Sequence, residues 1–346
     1  MKRQIFKHLA VAALAVSTTL TSCKEDDKVE PELTLGSETV EFATNPSGVE
    51  SATIQSNTNW SVAIEQIDDW LSVTPMSGNG SATLNITAQV NDDFAERYAT
   101  ITVTVAGAET KTIAVTQAGD ETKDVILLEE MVVRYSSQYE WVSRYVFEYD
   151  AQHHITKRYR YDNEALIDIL TFNFSENLVT ISHNLYDGVY PSYGKKGNVI
   201  CYSQAASSYC IEVNAKEIPV KQTIHRWGQM QKFSSTTTYT YTWVNGNLTI
   251  ADYEENGVSS QRGEYEESGT ETYTYDKKKS PFYHCATPKW FIWWWFGDCN
   301  VNNVTSNGDT TYEYTYNEDG FRATEKQGDN TITYTYMKRA GKGSSD

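Results

Sequence analysis

Short stretches of alternating apolar and polar residues fill this chain from about residue 33 onward. Up to residue 119 they are divided by turn residues roughly every eight to twelve positions, which is the spacing of a β-sandwich. Successive side chains of a strand point to opposite faces, so each stretch has one inward and one outward face. The stretches lie at 40–42, 52–54, 60–62, 84–86, 101–105 and 112–117. Residues 32–119 are therefore predicted to form a sandwich domain.

A tyrosine-rich pattern follows a predicted linker at 120–124 and marks a second domain at 125–337. Its unit is an aromatic strand, a polar turn and a return strand, as at 239–253 with Asn245-Gly246 in the turn. Asn-Gly and Asp-Gly allow the positive φ of tight hairpins. Similar units occupy 145–161, 312–321 and 328–336. These hairpins predict an antiparallel meander, as a curved sheet or an open barrel, so the chain is expected to be all-β, with a flexible tail at 338–346.

The first 22 residues have the order of a secretory signal peptide. Basic residues at positions 2, 3 and 7 precede an apolar core from Leu9 to Val16. That core is far shorter than the roughly 18 residues that would span a bilayer, so it is a targeting segment. It ends in Leu20-Thr21-Ser22-Cys23, which resembles a bacterial lipobox. The resemblance implies that Cys23 is lipidated and becomes the N-terminus, anchored by acyl chains that contribute about 0.8 kcal/mol per buried CH₂.

A charged tether at 23–31 separates this cysteine from the sandwich. Its start, Lys24-Glu25-Asp26-Asp27, resembles the acidic export signal that follows the cysteine in Bacteroidetes surface lipoproteins. The resemblance implies an outer-membrane lipoprotein exposed on the cell surface, whose first partner is the outer membrane itself through the lipid anchor.

Charge narrows the class of partner further. The chain has 29 Lys and Arg against 46 Asp and Glu, for a net charge of −17. Such a surface repels phosphates, so nucleic acid is not expected as a partner. A glycan or a surface protein remains compatible with this charge.

Four cysteines remain after Cys23, and an oxidising compartment favours disulfides. Proximity in the sequence favours Cys201 with Cys210 and Cys285 with Cys299, while the other pairings stay open. The cysteines and histidines have no C-x-x-C or H-x-x-x-H spacing, so neither a metal site nor a cofactor is predicted.

Several segments of the first domain are similar to those of the BACON domain, a module of Bacteroidetes surface proteins. The residues that carry the resemblance are 57–62 (NTNWSV), 70–75 (WLSVTP), 77–80 (SGNG), Asn91, 97–103 (RYATITV) and 115–119 (VTQAG). The resemblance implies an immunoglobulin-like sandwich and, from the family's association with carbohydrate-active enzymes, glycan binding. Trp60 and Trp70 begin alternating strands and are predicted to fill the core. Asp92, Asp93 and Glu96 are expected in a solvated loop, with a calcium site as the alternative.

Tyrosine recurs at every second position of the later hairpins, so phenol rings are expected on one face of the sheet. The units loosely resemble the YD-type repeats of bacterial surface proteins. They more closely resemble the tyrosine-rich β domains at the C-termini of Bacteroidetes lipoproteins. Their spacing is irregular, which argues against a propeller or a solenoid.

The most conspicuous stretch is 288–297 (PKWFIWWWFG), between Cys285 and Cys299. Its run of consecutive apolar residues cannot all face one core in a strand, because alternate side chains point opposite ways. A strand buried on both sides is the favoured interpretation. The alternatives are an aromatic platform that stacks on sugar rings and a patch that contacts a membrane or a partner protein. The candidate ligand contacts are Trp290, Trp293, Trp294 and Trp295.

The chain has no G-x-S-x-G, H-E-x-x-H or P-loop motif. Its 46 acidic residues offer too many carboxylates to choose a glycosidase pair from, so no catalytic residue is assigned and enzymatic activity is not predicted. We therefore predict a lipid-anchored surface protein that binds glycan or assists polysaccharide capture. The alternative is a structural or protein-binding envelope component, in which the tryptophans belong to a core or a subunit interface.

Overall fold

The computed structural model of the protein describes residues 30–66, 69–136, 141–175, 178–184, 193–204, 206–228, 233–308 and 310–341. The predicted signal peptide, the predicted lipidation residue Cys23 and most of the predicted tether lie outside these residues. No helix among them has the length and apolar character needed to cross a membrane.

The first domain is a β-sandwich built from two sheets. Its strands are β1 (Leu33–Leu35), β2 (Thr39–Phe42), β3 (Glu50–Ser56), β4 (Asn59–Gln66), β5 (Leu71–Thr74), β6 (Ser77–Asn79), β7 (Ala82–Ala88), β8 (Arg97–Val105) and β9 (Lys111–Gln117). One sheet has the order β1-β3-β7-β5 and the other β2-β9-β8-β4-β6, in which β2 and β9 are parallel. The sandwich predicted from the alternating pattern is confirmed.

The sandwich core is made by alternate residues of both sheets. Leu84 and Ile86 of β7 face Ile101 of β8, and all three are fully buried. Trp60 and Trp70 are 3% and 2% exposed, and Trp60 Nε1 donates to the carbonyl of the Gly80 turn at 2.8 Å. The prediction that these two tryptophans fill the core is confirmed.

The second domain is one long antiparallel sheet of fifteen strands. Its first six strands are β10 (Val125–Tyr135), β11 (Trp141–Tyr149), β12 (Ile155–Asp162), β13 (Ala165–Ser175), β14 (Leu178–His183) and β15 (Tyr193–Lys196). The next six are β16 (Val199–Gln204), β17 (Ser207–Val213), β18 (Pro219–Gly228), β19 (Phe233–Val244), β20 (Asn247–Ser259) and β21 (Gly263–Thr272). A separate hairpin comprises β22 (Thr274–Lys279) and β23 (Asn302–Ser306), and the sheet resumes with β24 (Glu313–Tyr316), β25 (Arg322–Gln327) and β26 (Asn330–Arg339).

The sheet runs as a meander from β10 to β21, and the last strand, β26, returns to pair with β10. Its edges are therefore β21 and β24. The sheet curls into a half-barrel, as the meander prediction required. The Asn245-Gly246 turn has the positive φ values, 51° and 76°, of a tight hairpin, and it joins β19 to β20 as predicted.

The segment between β21 and β24 leaves the sheet and fills the inside of the curl. It contains the β22–β23 hairpin and a short helix, α1 (Lys289–Phe296). Phe291 and Ile292 of this helix are fully buried among residues of β11 to β17. The core of the domain therefore lies between the concave face of the sheet and this segment.

The four cysteines that the structure describes divide into one disulfide and two free thiols. Cys201 and Cys210 face each other on β16 and β17 and are bonded, so this predicted pair is confirmed. The predicted Cys285–Cys299 bridge is wrong: both are free and buried. Burial raises the pKa of both thiols, which keeps them protonated and unreactive.

The loop that joins β7 to β8 docks onto the second domain through charge pairs. Asp93 accepts hydrogen bonds from His284 Nε2 at 2.7 Å and Lys279 Nζ at 2.6 Å. Glu96 pairs with Lys216 Nζ at 2.7 Å. The solvated loop predicted for these residues is thus wrong for Asp93, whose side chain is 26% exposed, whereas Glu96 keeps 42% exposure beside Lys216.

Uncharged contacts complete this domain interface. The ring of Phe94 packs edge-on against His153 and His284, with ring centres 5.4 and 5.6 Å apart. Thr100 Oγ1 donates to Asn245 Oδ1 at 2.9 Å, at the tip of the β19–β20 hairpin. Within the described ranges, no three His, Cys, Asp or Glu side chains are grouped as a metal site would need.

Candidate functional site

The aromatic run forms a helix, so the prediction of a doubly buried strand is wrong. α1 starts after Pro288 and ends at Gly297, whose φ of 72° is the left-handed conformation that terminates helices. Successive helical side chains point about 100° apart, so the apolar residues face all directions around the axis. A helix that is apolar all round needs surrounding protein. The concave face of the curled sheet supplies it.

Two of the four candidate tryptophans pack inside this core. Trp290 is 2% exposed and lies against the ring of Tyr193, at 5.7 Å between ring centres. Trp294 packs edge-on against Tyr193, Tyr202 and Tyr209, at 5.1 to 5.7 Å. Trp290 is therefore covered by neighbouring side chains, and Trp294 lies against the strands β15 to β17.

The other two tryptophans reach an open cavity. Trp293 is supported by the rings of Tyr241 and Trp243 on β19, at 5.6 and 6.2 Å. Trp295 packs against Phe172 of β13 at 5.9 Å. Both line a cavity of about 530 Å³ between α1, the β22–β23 hairpin and strands β10–β12 and β24–β26. The structure thus brings Trp293 and Trp295 to one site.

The cavity wall is mainly aromatic. Besides the two tryptophans it includes Tyr273, Tyr275, Tyr312 and Tyr314. The rings of Tyr312 and Tyr314 on one face of the β24 segment are parallel within 3°, with centres 6.4 Å apart. A pocket of this size that combines ring faces with a few polar groups has the character of a small-ligand site.

A charged cluster forms the floor of the cavity. Arg322 donates to Glu325 Oε2 at 2.8 Å, to Asp298 Oδ2 at 3.1 Å and to Asn303 Oδ1 at 2.8 Å. Its guanidinium lies 4.5 Å from the centre of the Tyr314 ring. Burial alone would lower the pKa of Arg322, but Asp298, Tyr334 and Glu325 outweigh it and raise that pKa above its usual value. The guanidinium of Arg322 therefore stays charged.

The phenols of the wall are neutral at physiological pH. Burial raises the pKa of Tyr273, Tyr275 and Tyr314 well above the usual value for tyrosine. Their hydroxyls therefore keep the proton and can donate as well as accept hydrogen bonds. Tyr275 already donates to the Leu248 carbonyl, and Tyr314 to that of Val304.

Sequence reasoning placed the phenol rings of these hairpins on one face of the sheet, but it did not connect Tyr312 and Tyr314 with a cavity. It missed the charged floor of the cavity altogether. Arg322 and Glu325 both lie on β25, whereas Asp298 follows α1, and no motif joins these two segments. They meet because the segment between β21 and β24 folds back into the curl.

The match to a protein-family model lies in the first domain. Residues 51–118 match the family model BACON, described as "Putative binding domain, N-terminal". Residues 51–118 are a BACON domain. The resemblance found in the sequence is confirmed. The BACON domain supplies Asp93, Phe94 and Glu96 to the domain interface, whereas every described residue of the cavity wall belongs to the second domain.

A search of curated proteins found no match to the chain. Similar solved structures include a GH5 xyloglucanase from Bacteroides ovatus in complex with a XXXG heptasaccharide. It is 26% identical over 27% of this chain, with a TM-score of 0.24, and the chain spans only 19% of its length. Another is a DUF4784 family protein from Bacteroides caccae, 8% identical over 88% of this chain and 91% of its own, with a TM-score of 0.13. At these TM-scores neither structure informs the fold or activity of this chain.

Proposed function

We propose that this protein is a lipid-anchored outer-membrane protein that binds glycan in the aromatic cavity of its second domain. The observation that carries the proposal is the wall itself, in which Trp293, Trp295 and parallel tyrosines stand beside a polar floor. Flat ring faces match the C–H faces of pyranoses, and polar groups at the edge of a pocket match their hydroxyls. The volume of about 530 Å³ suits a short saccharide segment.

The binding site is tested with the purified mature ectodomain, first on a panel of immobilised glycans and then by calorimetry with the glycan retained best. Trp293→Ala and Tyr312→Ala each remove one ring of the wall. Each is expected to weaken binding about tenfold or more, as is usual for buried aromatic contacts. Two variants are used because Trp293 also packs against β19.

The matched control is Trp227→Ala. Trp227 is 41% exposed on β18 and does not line the cavity, so its removal is expected to leave affinity unchanged. If wild type, Trp293→Ala and Tyr312→Ala retain the glycan equally, the cavity is not the glycan-binding site. Loss of binding in Trp227→Ala alone would move the site to the outer face of the sheet.

The anchor is tested separately from the cavity. Cells grown with an alkyne-tagged fatty acid are expected to label the wild-type protein, which fractionates with the outer membrane. Cys23→Ser removes the acyl acceptor and is expected to abolish both labelling and membrane retention. An unlabelled wild-type protein in the cytosol would overturn the proposed location.

A structural role is favoured by one observation, the dense packing of Trp290 and Trp294 inside the curl. In that alternative α1 only stabilises the half-barrel, and the protein is an envelope component without a glycan ligand. It predicts that no glycan is retained by the wild-type ectodomain. Intact cells would then yield crosslinks from this protein to another envelope protein.

A further inference from the structure

The charges that line the cavity are already paired with each other. Arg158 and Arg322 are its cationic residues among the described part of the chain. Arg158 Nη2 donates to Asp168 Oδ1 at 2.9 Å, and its side chain is 16% exposed. Arg322 donates to both Asp298 and Glu325 and is 7% exposed at the side chain. The two guanidinium groups thus face three carboxylates, so an anionic ligand would enter a site without excess positive charge.

Two rings of the aromatic wall already contact cationic side chains of the protein itself. The guanidinium of Arg322 lies 4.5 Å from the centre of the Tyr314 ring, and that of Arg158 lies 5.5 Å from Tyr145. A ligand cation would have to share the wall with these two charges. The position that an aromatic cage offers to an ammonium group is thus occupied by the protein's own residues.

Uncharged hydrogen-bonding groups also line the cavity. They include the amides of Asn300, Asn307 and Gln327 and the phenol of Tyr312. The Asp298 side chain is 20% exposed, so its carboxylate is open to the cavity while it holds Arg322. Sugar hydroxyls, which donate and accept without carrying charge, suit the amides, the phenol and the carboxylate.

We infer that the cavity takes an uncharged saccharide segment and rejects glycans that carry carboxylates or sulfates. This inference rests on the proposed glycan binding and adds the class of glycan. A uronate in the cavity would have to compete with Asp168 or Asp298 for a guanidinium or stay unpaired in a largely buried site, and either outcome is costly. The net charge of −17 adds a long-range repulsion of polyanions.

The test uses a ligand pair that differs only in charge. The best-retained neutral hexose oligosaccharide is compared with its C6-oxidised form, in which the primary alcohol is a carboxylate. Both are titrated into the wild-type ectodomain at 150 mM salt. The oxidised form is expected to bind about tenfold more weakly or worse. Equal or tighter binding of the oxidised form overturns the inference.

A variant then asks whether Asp298 sets this preference. Asp298→Asn removes one carboxylate from Arg322 and leaves part of its positive charge unpaired. The difference in affinity between the neutral and the oxidised ligand is therefore expected to become smaller. Asp252→Asn is the matched control: it changes net charge equally, but Asp252 is exposed on β20 and bonded to Thr270. Near-UV circular dichroism verifies that the variant is folded. If a folded Asp298→Asn protein shows the same difference in affinity between the two ligands as wild type, the role of Asp298 is refuted.

The outcomes separate the inference from the proposed function. If the glycan panel retains only acidic polysaccharides and Tyr312→Ala abolishes that retention, the proposed function stands and the inference fails. If nothing on the panel is retained, both fail together. Retention of neutral glycans with the expected gap supports both.

Discussion

Replacing Asp93 by asparagine should loosen the contact between the BACON domain and the half-barrel. Both carboxylate oxygens accept hydrogen bonds, Oδ1 from His284 Nε2 and from the Ala95 N–H, and Oδ2 from Lys279. His284 Nδ1 accepts from the Ile126 N–H at 2.9 Å, so the imidazole proton is on Nε2 and points at Asp93. An asparagine side chain has one acceptor oxygen and one donor nitrogen. In Asp93→Asn the NH₂ group would therefore face the N–H donor of either His284 or Lys279.

The size of the effect follows from burial. Asp93 is 26% exposed at the side chain and His284 only 3%, so water replaces the lost partner poorly. A hydrogen bond to a charged group contributes about 1.5–3 kcal/mol, and we expect Asp93→Asn to lower the free energy of unfolding by that amount. Asp92→Asn is the matched control. Its side chain is 81% exposed and should change stability by less than about 0.5 kcal/mol.

The effect should depend on pH in a defined direction. Burial alone would raise the pKa of Asp93, but the hydrogen bonds from His284 and Lys279 and the charge of Lys279 outweigh it and hold the pKa well below its usual range. A carboxylate with a lowered folded-state pKa stabilises above its unfolded pKa, and that contribution is lost as pH falls through the folded pKa. The gap between wild type and Asp93→Asn should therefore be constant above about pH 5 and shrink below about pH 4.

Urea unfolding, followed by circular dichroism and tryptophan fluorescence, measures these differences at each pH. The two domains need not unfold together, so each transition is fitted separately. An Asp93→Asn protein as stable as Asp92→Asn at pH 7 would refute the reasoning. A gap as large at pH 3 as at pH 7 would refute its electrostatic part.

Three further predictions concern packing and thiols. Phe291→Ala empties a fully buried ring position in the half-barrel and should cost about 3–5 kcal/mol in urea unfolding. Cys285 and Cys299 should react with iodoacetamide only after unfolding and without reductant, as read by mass spectrometry; a bridge between them would block labelling. Gly78→Ala puts a Cβ 2.4 Å from a buried indole and should cost about 1–3 kcal/mol, whereas Gly48→Ala, with open space around it, should change stability by a few tenths at most.

Several features could be predicted because they depend on local pattern. Alternation with period two placed Leu84 and Ile86 on the inner face of the sandwich, and the same period identified the hairpin around Asn245-Gly246. Cys201 and Cys210 are close in sequence and flank one turn, so hairpin register alone brings them together.

Other features could not be predicted from neighbouring residues in the sequence alone. A short apolar run is compatible with a buried strand or a buried helix, and in 288–297 the deciding signals are its ends, Pro288 and Gly297. Cys285 and Cys299 are also close in sequence, yet α1 lies between them and each thiol is buried without pairing. Proximity along the chain predicts a bridge only where the backbone returns on itself.

The sequence by itself determined the all-β class, the BACON domain and the hairpin register, because strand alternation and turn chemistry act between near neighbours. Only the tertiary structure decided where the cavity lies and what lines it. Trp293, Tyr312 and Arg322 come from a helix, a sheet edge and a separate strand. The curl of a fifteen-stranded sheet around α1 brings them together, and that curl depends on contacts between residues far apart in the chain.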